Sequence, residues 1–200
     1  MTENQDERSG RERLLEISCD LFLVAGYDGV SIQQIADAVG MTKGGPYYHF
    51  RHKADLFANA LIRRTERIHN EHKRVINAEP DLRSKLIAGF VYSTTHWEPG
   101  IPRLAADFER VLDPYRLEHY GPMLKESSDL AGLYSSIFRE AEESGVKLTL
   151  NHERAARLFL AAMMGEIGLQ GFDPVPPTEA EIPEIAVAVV DGILEGIRVS

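Results

Sequence analysis

The sequence predicts an all-α protein, and two observations support this fold class. Apolar residues recur at three- and four-residue spacing along most of the chain, which is typical of amphipathic helices. No stretch shows the sustained alternation of a half-buried β-strand, and no Asn-Gly or Asp-Gly turn separates two such stretches. Glycine, proline and capping residues divide the chain into about nine helical segments.

The first three predicted helices lie within about residues 9–54. Gly26 is placed to end the first helix and Gly40 to end the second, because glycine adopts the left-handed backbone that closes a helix. A third short helix follows, from about Lys43 to Phe50. The apolar stripes that define the first two helices contain Leu14, Ser18, Leu21, Phe22 and Ala25, and then Ile32, Ile35, Ala36 and Val39.

Six longer segments complete the predicted architecture. A long helix runs from about residue 53 to the high seventies, and a second lies between Pro80 and the break at residues 99–102. Residues 171–178, which include three prolines, are expected to form a loop. Of the other four helices, the first is expected to end near Leu112. The remaining three are expected at about Pro122 to Ser144, Asn151 to Leu169, and Glu179 to Arg198.

The net charge of −9 argues at first against a nucleic-acid partner. Its distribution is uneven, because residues 40–79 hold eight basic and four acidic side chains while residues 80–200 are strongly acidic. A basic segment on an acidic body is compatible with local phosphate contact. No apolar run approaches the length of a membrane span, and the single cysteine fits a reducing compartment, so we expect a cytoplasmic protein without a membrane partner.

Residues 26–56 have the pattern of a helix-turn-helix. Ser31 and Gln34 have the spacing of a capping box, and Gly40 provides a tight turn after two helical turns. Thr42 is expected to cap the next helix, which would enter the DNA major groove. In this arrangement Lys43, Tyr47, Tyr48 and His49 would face outward, and Lys53 would reach a phosphate.

This segment resembles the DNA-binding domain of the TetR (tetracycline-repressor-like) family. About a quarter of the chain carries the match, without a gap. The matching residues, in order, are Phe22, Gly26, Tyr27, Ser31, Ile35, Ala36, Gly40, Met41, Thr42, Lys43, Gly44, Tyr47, Phe50, Lys53 and Leu56.

The resemblance implies which side chains face DNA, and three departures bear on the DNA sequence that they read. Pro46 replaces an aliphatic residue, Gly45 stands where a base-contacting Thr, Ser or Ala is common, and His52 replaces a capping Ser or Thr. The DNA-facing positions implied are Ser31, Gln33, Thr42, Lys43, Gly44, Gly45, Tyr47, Tyr48, His49 and Lys53.

The polar and charged N-terminus predicts a disordered tail at 1–8. The resemblance implies a DNA-binding domain at 9–54 and an effector-binding and dimerisation domain at 55–200. Candidate effector-pocket residues, which could equally be ordinary core, are Tyr92, His96, Trp97, Phe108, Tyr115, Tyr134, Phe138, Phe159, Met163 and Glu166. Candidate dimer-interface residues, which could equally pack within one subunit, are Ala161, Ala162, Gly165, Val189, Val190, Ile193 and Ile197.

The sequence predicts neither an enzyme nor a cofactor. Glu66 and His69 have the Glu-x-x-His spacing of di-iron bundles, but the chain has no second copy of this motif. Nucleophile-elbow and phosphate-loop motifs are also missing. We therefore expect a dimeric regulator that binds double-stranded DNA at a near-palindromic operator, represses transcription, and is released by a small hydrophobic or amphipathic effector. The alternative is an all-helical ligand-binding protein whose helix-turn-helix no longer reads DNA.

Overall fold

The computed structural model describes residues 3–170 and 176–199, with side chains from residue 10 onwards. Within these ranges the chain forms helices and no β-strand; one isolated bridge joins Leu148 and Arg198. The predicted all-α class is therefore confirmed. The described helices are α1 (Glu3–Ala25), α2 (Ile32–Val39), α3 (Gly45–His49), α4 (Lys53–Asn77), α5 (Leu82–Thr95), α6 (Gly100–Val111), α7 (Pro114–Ser127), α8 (Leu130–Glu143), α9 (His152–Gln170) and α10 (Ile182–Ile197).

The described ranges thus contain ten helices, one more than the sequence predicts. Pro122 does not begin a helix but lies inside α7. This helix starts instead at Pro114, where the Asp113 side chain accepts a hydrogen bond of 2.9 Å from the Arg116 N–H. The break comes later, where Asp129 caps α8 by accepting from the Gly132 N–H at 2.9 Å. Of the predicted loop at 171–178, residues 171–175 lie outside the described ranges.

The described residues pack as two units, and the boundaries differ from the predicted ones. Of these residues, 3–68 and 98–128 belong to unit 1, and 69–97, 129–170 and 176–199 belong to unit 2. The prediction of one break near residue 54 is wrong, because α6 and α7 return to the helix-turn-helix and pack in its core. The predicted tail is also wrong for residues 3–8, which belong to α1, while residues 1 and 2 lie outside the described ranges.

Unit 1 is built around the buried faces of α1, α2, α4 and α6. Phe22 and Phe57 meet edge to face with their ring centroids 5.0 Å apart, and both are fully buried. The apolar stripe predicted for the second helix contributes to this core, since Ile35, Ala36 and Val39 are buried. Helix α6 adds an unpredicted part of this core with Leu104, Phe108 and Leu112.

Unit 2 has its own core, formed by α5, α8, α9 and α10 with the end of α4. A polar pair lies inside it: the Tyr134 hydroxyl is 2.8 Å from His72 Nε2, and both side chains are buried. Burial and the neighbouring His69 lower the pKa of His72 to about 4, and a hydrogen bond to the Gly89 backbone acts in the opposite direction. His72 is therefore neutral at pH 7, and the hydrogen bond satisfies a polar group that would otherwise be costly to bury.

Gly89 is required by this buried pair. A Cβ built at residue 89 would overlap the Tyr134 hydroxyl and lie 3.1 Å from Ile76 Cδ1.

Among the described helices, none combines the length and the apolar character needed to span a bilayer.

We expect Gly89→Ala to destabilise the protein by about 1–3 kcal/mol, because the added methyl group must displace a packed aromatic side chain. Gly168→Ala is the matched control, since a Cβ at that helical position meets nothing within 4 Å. It should be neutral or stabilising by up to about 1 kcal/mol. Urea unfolding measures both free energies. Adding Tyr134→Phe to Gly89→Ala should recover part of the loss; an unchanged stability for Gly89→Ala would contradict the packing argument.

Candidate nucleic-acid interface

Helix α2 begins and ends as the sequence predicts. The Gln34 N–H donates to Ser31 Oγ at 3.2 Å, and the Ser31 N–H donates to Gln34 Oε1 at 2.7 Å, which completes the capping box. At the other end Gly40 has φ +77°, a left-handed conformation that glycine adopts without strain. The Met41 N–H then bonds to the Ala36 carbonyl at 2.8 Å, which closes the turn.

Helix α3 is shorter than predicted and is capped differently. It begins at Gly45, so Pro46 stands near its start rather than at its fourth position. At this place the missing proline N–H costs no helical hydrogen bond. Thr42 was expected to cap this helix through its side chain, and that prediction is wrong. Its carbonyl accepts from the Gly45 N–H at 2.8 Å, and the N-cap residue is Gly44.

Gly45 has a packing reason that sequence reasoning missed. A Cβ at residue 45 would lie 2.8 Å from Met41 Cβ and 3.3 Å from Met41 Sδ. A larger residue would therefore push Met41 out of the turn between α2 and α3. Glycine allows the close approach of the two short helices.

The structure brings the predicted DNA-facing residues together on α2, α3 and the turn between them. Tyr48 is 77% exposed and Tyr47 is 50% exposed, unusual values for aromatic side chains on an ordered helix. The His49 ring is half-buried and meets Tyr48 edge to face at 5.2 Å. The remaining positions of this set that are exposed are Ser31, Gln33, Thr42, Lys43 and Gly44.

Lys53 occupies a more constrained place than predicted. Its Nζ donates to the Tyr27 carbonyl at 2.5 Å and lies 4.0 Å from the centroid of the Tyr27 ring. Burial lowers the pKa of Lys53, although the carboxylates of Asp28 and Asp107 act in the opposite direction. The ammonium group is therefore fixed next to the turn before α2.

Much of the basic segment at residues 40–79 is paired within unit 1. Arg67 forms an ion pair of 2.5 Å with Glu16, and Arg64 pairs with Glu98. Arg63 adds a longer contact of 3.6 Å with Glu12. These arginines join α4 to α1 and to the segment before α6. Because carboxylates neutralise them, the positive charge available to DNA is smaller than the number of basic residues in the sequence indicates.

The predicted effector-pocket residues are divided between the two units. Phe108 and Tyr115 belong to unit 1, where Phe108 is buried in the core and Tyr115 is 80% exposed. Because the chain returns to unit 1 between residues 98 and 128, these two residues belong to a different unit from the other predicted pocket residues, and the pocket stays a prediction. In unit 2, Tyr92, Tyr134, Phe138, Phe159 and Met163 are buried, Glu166 is half-buried, and His96 and Trp97 are exposed.

The predicted dimer-interface residues divide in the same way. Val190 and Ile197 are buried in the core of unit 2, at 0% and 3% exposure, so the prediction that they face a second subunit is wrong. Ala161 and Gly165 are exposed, and Ala162, Val189 and Ile193 are half-buried. Val189 and Ile193 also line an open apolar cleft of about 480 Å³ with Leu158 and Gly192.

Within the part of the chain that the structure describes, no group of three or more His, Cys, Asp or Glu side chains could hold a metal ion. Glu66 and His69 therefore remain an isolated pair on α4.

Comparison with known proteins identifies the helix-turn-helix. Residues 14–60 match the family model of the bacterial regulatory proteins of the tetR family. The chain is 37% identical over 54 residues to the HTH-type transcriptional regulator AcrR of Shigella flexneri. This match covers 27% of the chain and 25% of that regulator, so the chain spans about a quarter of the length of this relative.

Two solved structures share the fold over nearly the whole chain. A TetR-family transcriptional regulator from Mesorhizobium loti superposes with a TM-score of 0.76 at 19% identity, covering 96% of this chain and 98% of that one. A transcriptional regulator from Saccharomonospora viridis, in complex with choline, gives a TM-score of 0.70 at 19% identity and covers 96% of this chain and 100% of that one.

The capped α2, the glycine turn and the exposed face of α3 thus coincide with the segment that matches the family model. Over residues 14–60 the chain is therefore similar to the bacterial regulatory proteins of the tetR family, and its fold is shared with solved regulators of that family.

Proposed function

We propose that the protein binds a near-palindromic operator as a dimer, represses transcription, and releases DNA when a small molecule binds unit 2. The exposed aromatic face of α3, with Tyr47 and Tyr48 beside the polar turn that carries Lys43, is the observation that supports DNA reading most directly. A second helix of this kind enters the major groove in helix-turn-helix proteins.

The exposed residues have two different roles in this proposal. Tyr47, Tyr48 and His49 lie on α3 and contact base edges, which sets sequence preference. Phosphate contacts set the position of the protein and are made by polar groups at the helix ends. In this proposal the phosphate contacts come from Ser31, Gln33, Thr42, Lys43, Lys53 and the backbone of Gly44 and Gly45.

The first experiment is a titration of short DNA from upstream of the protein's own gene against scrambled DNA, at several salt concentrations. Selective binding that weakens steeply with salt supports operator recognition. A reporter gene under the same DNA then gives the sign of regulation, since lower expression in the presence of the protein is expected of a repressor. Equal affinity for operator and scrambled DNA would contradict sequence reading.

We expect Lys53→Ala to weaken binding to all DNA sequences alike and to reduce the slope of log affinity against log salt by about 0.9, the value for one lost phosphate contact. Tyr48→Ala should lower the affinity for the operator more than for scrambled DNA, because it removes a contact at a base edge. Lys125→Ala, an exposed lysine on α7, is the matched charge control. Equal losses on every DNA for Lys53→Ala and Tyr48→Ala would contradict the assigned roles.

The dimer is proposed to form through the exposed face of α9 and α10. This face carries small residues at helical spacing, including Ala161, Gly165 and Gly192, next to the exposed Leu158. At Gly165 and Gly192 a Cβ would meet nothing within 4 Å, so a second helix has room to approach the backbone. Two copies would place two recognition helices on one DNA face if these lie about 34–36 Å apart.

We expect Ala161→Glu to convert the dimer to a monomer, because it buries an unpaired carboxylate in an apolar interface. Analytical ultracentrifugation measures the molecular mass, and DNA with two half-sites should be bound less tightly by the monomer. Ala131→Glu is the matched control on the exposed part of α8 and should remain dimeric. A dimeric Ala161→Glu variant would place the interface elsewhere.

The effector is proposed to be a small hydrophobic or amphipathic molecule that binds among the aromatic residues of unit 2. Tyr92 stacks on His96 with ring centroids 4.5 Å apart, and the Tyr134 ring lies 4.6 Å from that of Phe159. Because these side chains pack closely, a ligand must select a conformation in which they separate. The choline complex of the Saccharomonospora viridis regulator supports ligand binding by a protein of this fold. The cytoplasm, where the operator lies, is the proposed place of action.

We expect a thermal-shift screen that includes choline to find a compound that raises the melting temperature and weakens operator binding. Such coupling arises only if the compound binds the two conformations with different affinity. Tyr92→Ala should abolish the shift, while Tyr115→Ala, which removes an exposed ring from unit 1, should leave it unchanged. The reverse sensitivity would assign the ligand to unit 1.

A further inference from the structure

Helix α6 presents a polar face that the helix-turn-helix pattern does not include. Gly100, Arg103, Asp107 and Arg110 follow one another at three- and four-residue spacing, so they lie on one side of the helix. The neighbouring face, which includes Leu104 and Phe108, is buried in the core of unit 1. The packing of this face holds the polar face in a defined orientation.

The first half of this polar face contacts the end of α1. Arg103 donates to the Leu23 carbonyl and, at 3.4 Å, to the Phe22 carbonyl. The Phe22 carbonyl also accepts from the Gly26 N–H at 2.8 Å. Carbonyls at the end of a helix carry partial negative charge, which the guanidinium group of Arg103 stabilises. At Gly100 a Cβ would lie 2.8 Å from Leu23 Cδ2, so glycine permits the close approach of α6 to α1.

The second half of the face holds the turn between α1 and α2. Asp107 Oδ2 accepts from the Tyr27 N–H at 3.1 Å. Arg110 donates to Asp28 Oδ2 at 2.7 Å and to Asp107 Oδ1 at 2.8 Å. Burial opposes ionisation of Asp107, but these hydrogen bonds outweigh it and keep the pKa of that carboxyl below its usual value.

Tyr27 is held from its other side by α4. Its carbonyl accepts from Lys53 Nζ at 2.5 Å, and its ring lies against Phe57 with centroids 5.1 Å apart. The amide N–H of Tyr27 is thus bonded to α6, while its carbonyl is bonded to the first residue of α4. The place of Lys53 therefore depends on a residue that Asp107 holds.

We propose that Asp107 is a positioning residue for DNA binding, which holds Tyr27 and through it sets the place of the Lys53 ammonium group. This inference rests on the phosphate contact proposed for Lys53. Asp107 itself lies between α6 and the turn from α1 to α2 and is not among the residues proposed to contact DNA. Its loss should loosen Lys53 and the turn before α2 while every DNA-facing side chain remains.

The test compares Asp107→Ala with Asp107→Asn and Glu109→Ala. Asp107→Ala should lower operator affinity about tenfold, equivalent to about 1.4 kcal/mol, and should reduce the salt slope by about 0.9. Asp107→Asn should recover at least part of the affinity, because the amide oxygen still accepts from the Tyr27 N–H. Glu109→Ala removes the same charge from an exposed position of α6 and should bind as the wild type does. Circular dichroism checks that each variant is folded at the assay temperature.

A second measurement needs no DNA. The rate at which acetic anhydride modifies Lys53, followed by mass spectrometry, should rise in Asp107→Ala and stay at the wild-type value in Glu109→Ala. An unchanged rate would overturn the inference whether or not the protein binds its operator. The inference would also be overturned if Asp107→Ala kept the wild-type salt slope and lost affinity only in proportion to its unfolded fraction. If the wild-type protein does not bind its operator selectively, that result contradicts the proposed function instead.

Discussion

The two hydrogen bonds made by the peptide groups of Tyr27 connect the helices on which unit 1 depends. The N–H is bonded to Asp107 on α6, and the carbonyl is bonded to Lys53 at the start of α4. Because Tyr27 lies in the turn that leads into α2, its position influences where the helix-turn-helix begins. A short segment with few buried residues of its own thus obtains its orientation from two longer helices that are anchored in the core.

Unit 2 obtains its order from a buried polar contact in an otherwise apolar core. The Tyr134 hydroxyl and His72 satisfy each other's hydrogen-bonding capacity, and Gly89 leaves the space that this contact requires. A polar pair surrounded by aromatic rings is a specific arrangement, since exchanging any member leaves either an overlap or an unsatisfied group. The same rings belong to the proposed effector site.

An acidic protein can still present a surface suited to DNA. Glu16 and Glu98 pair with Arg67 and Arg64, so opposite charges are neutralised within unit 1 before DNA approaches. The surface that remains around α3 is aromatic and polar, with Lys43 exposed in the preceding turn. Contacts with base edges depend on geometry, so in the proposed function the placement of a few side chains around α3 sets the sequence preference.

The sequence by itself determined the local structure of the DNA-binding segment. The capping box of Ser31 and the left-handed turn at Gly40 depend on residues a few positions apart, and both can be recognised without knowledge of the rest of the fold. Tertiary structure decided which distant segments meet. The return of α6 to unit 1, the hydrogen bond between Asp107 and Tyr27, and the burial of Val190 rather than its exposure all depend on packing between helices. Helical periodicity identifies an apolar face but not the surface that covers it.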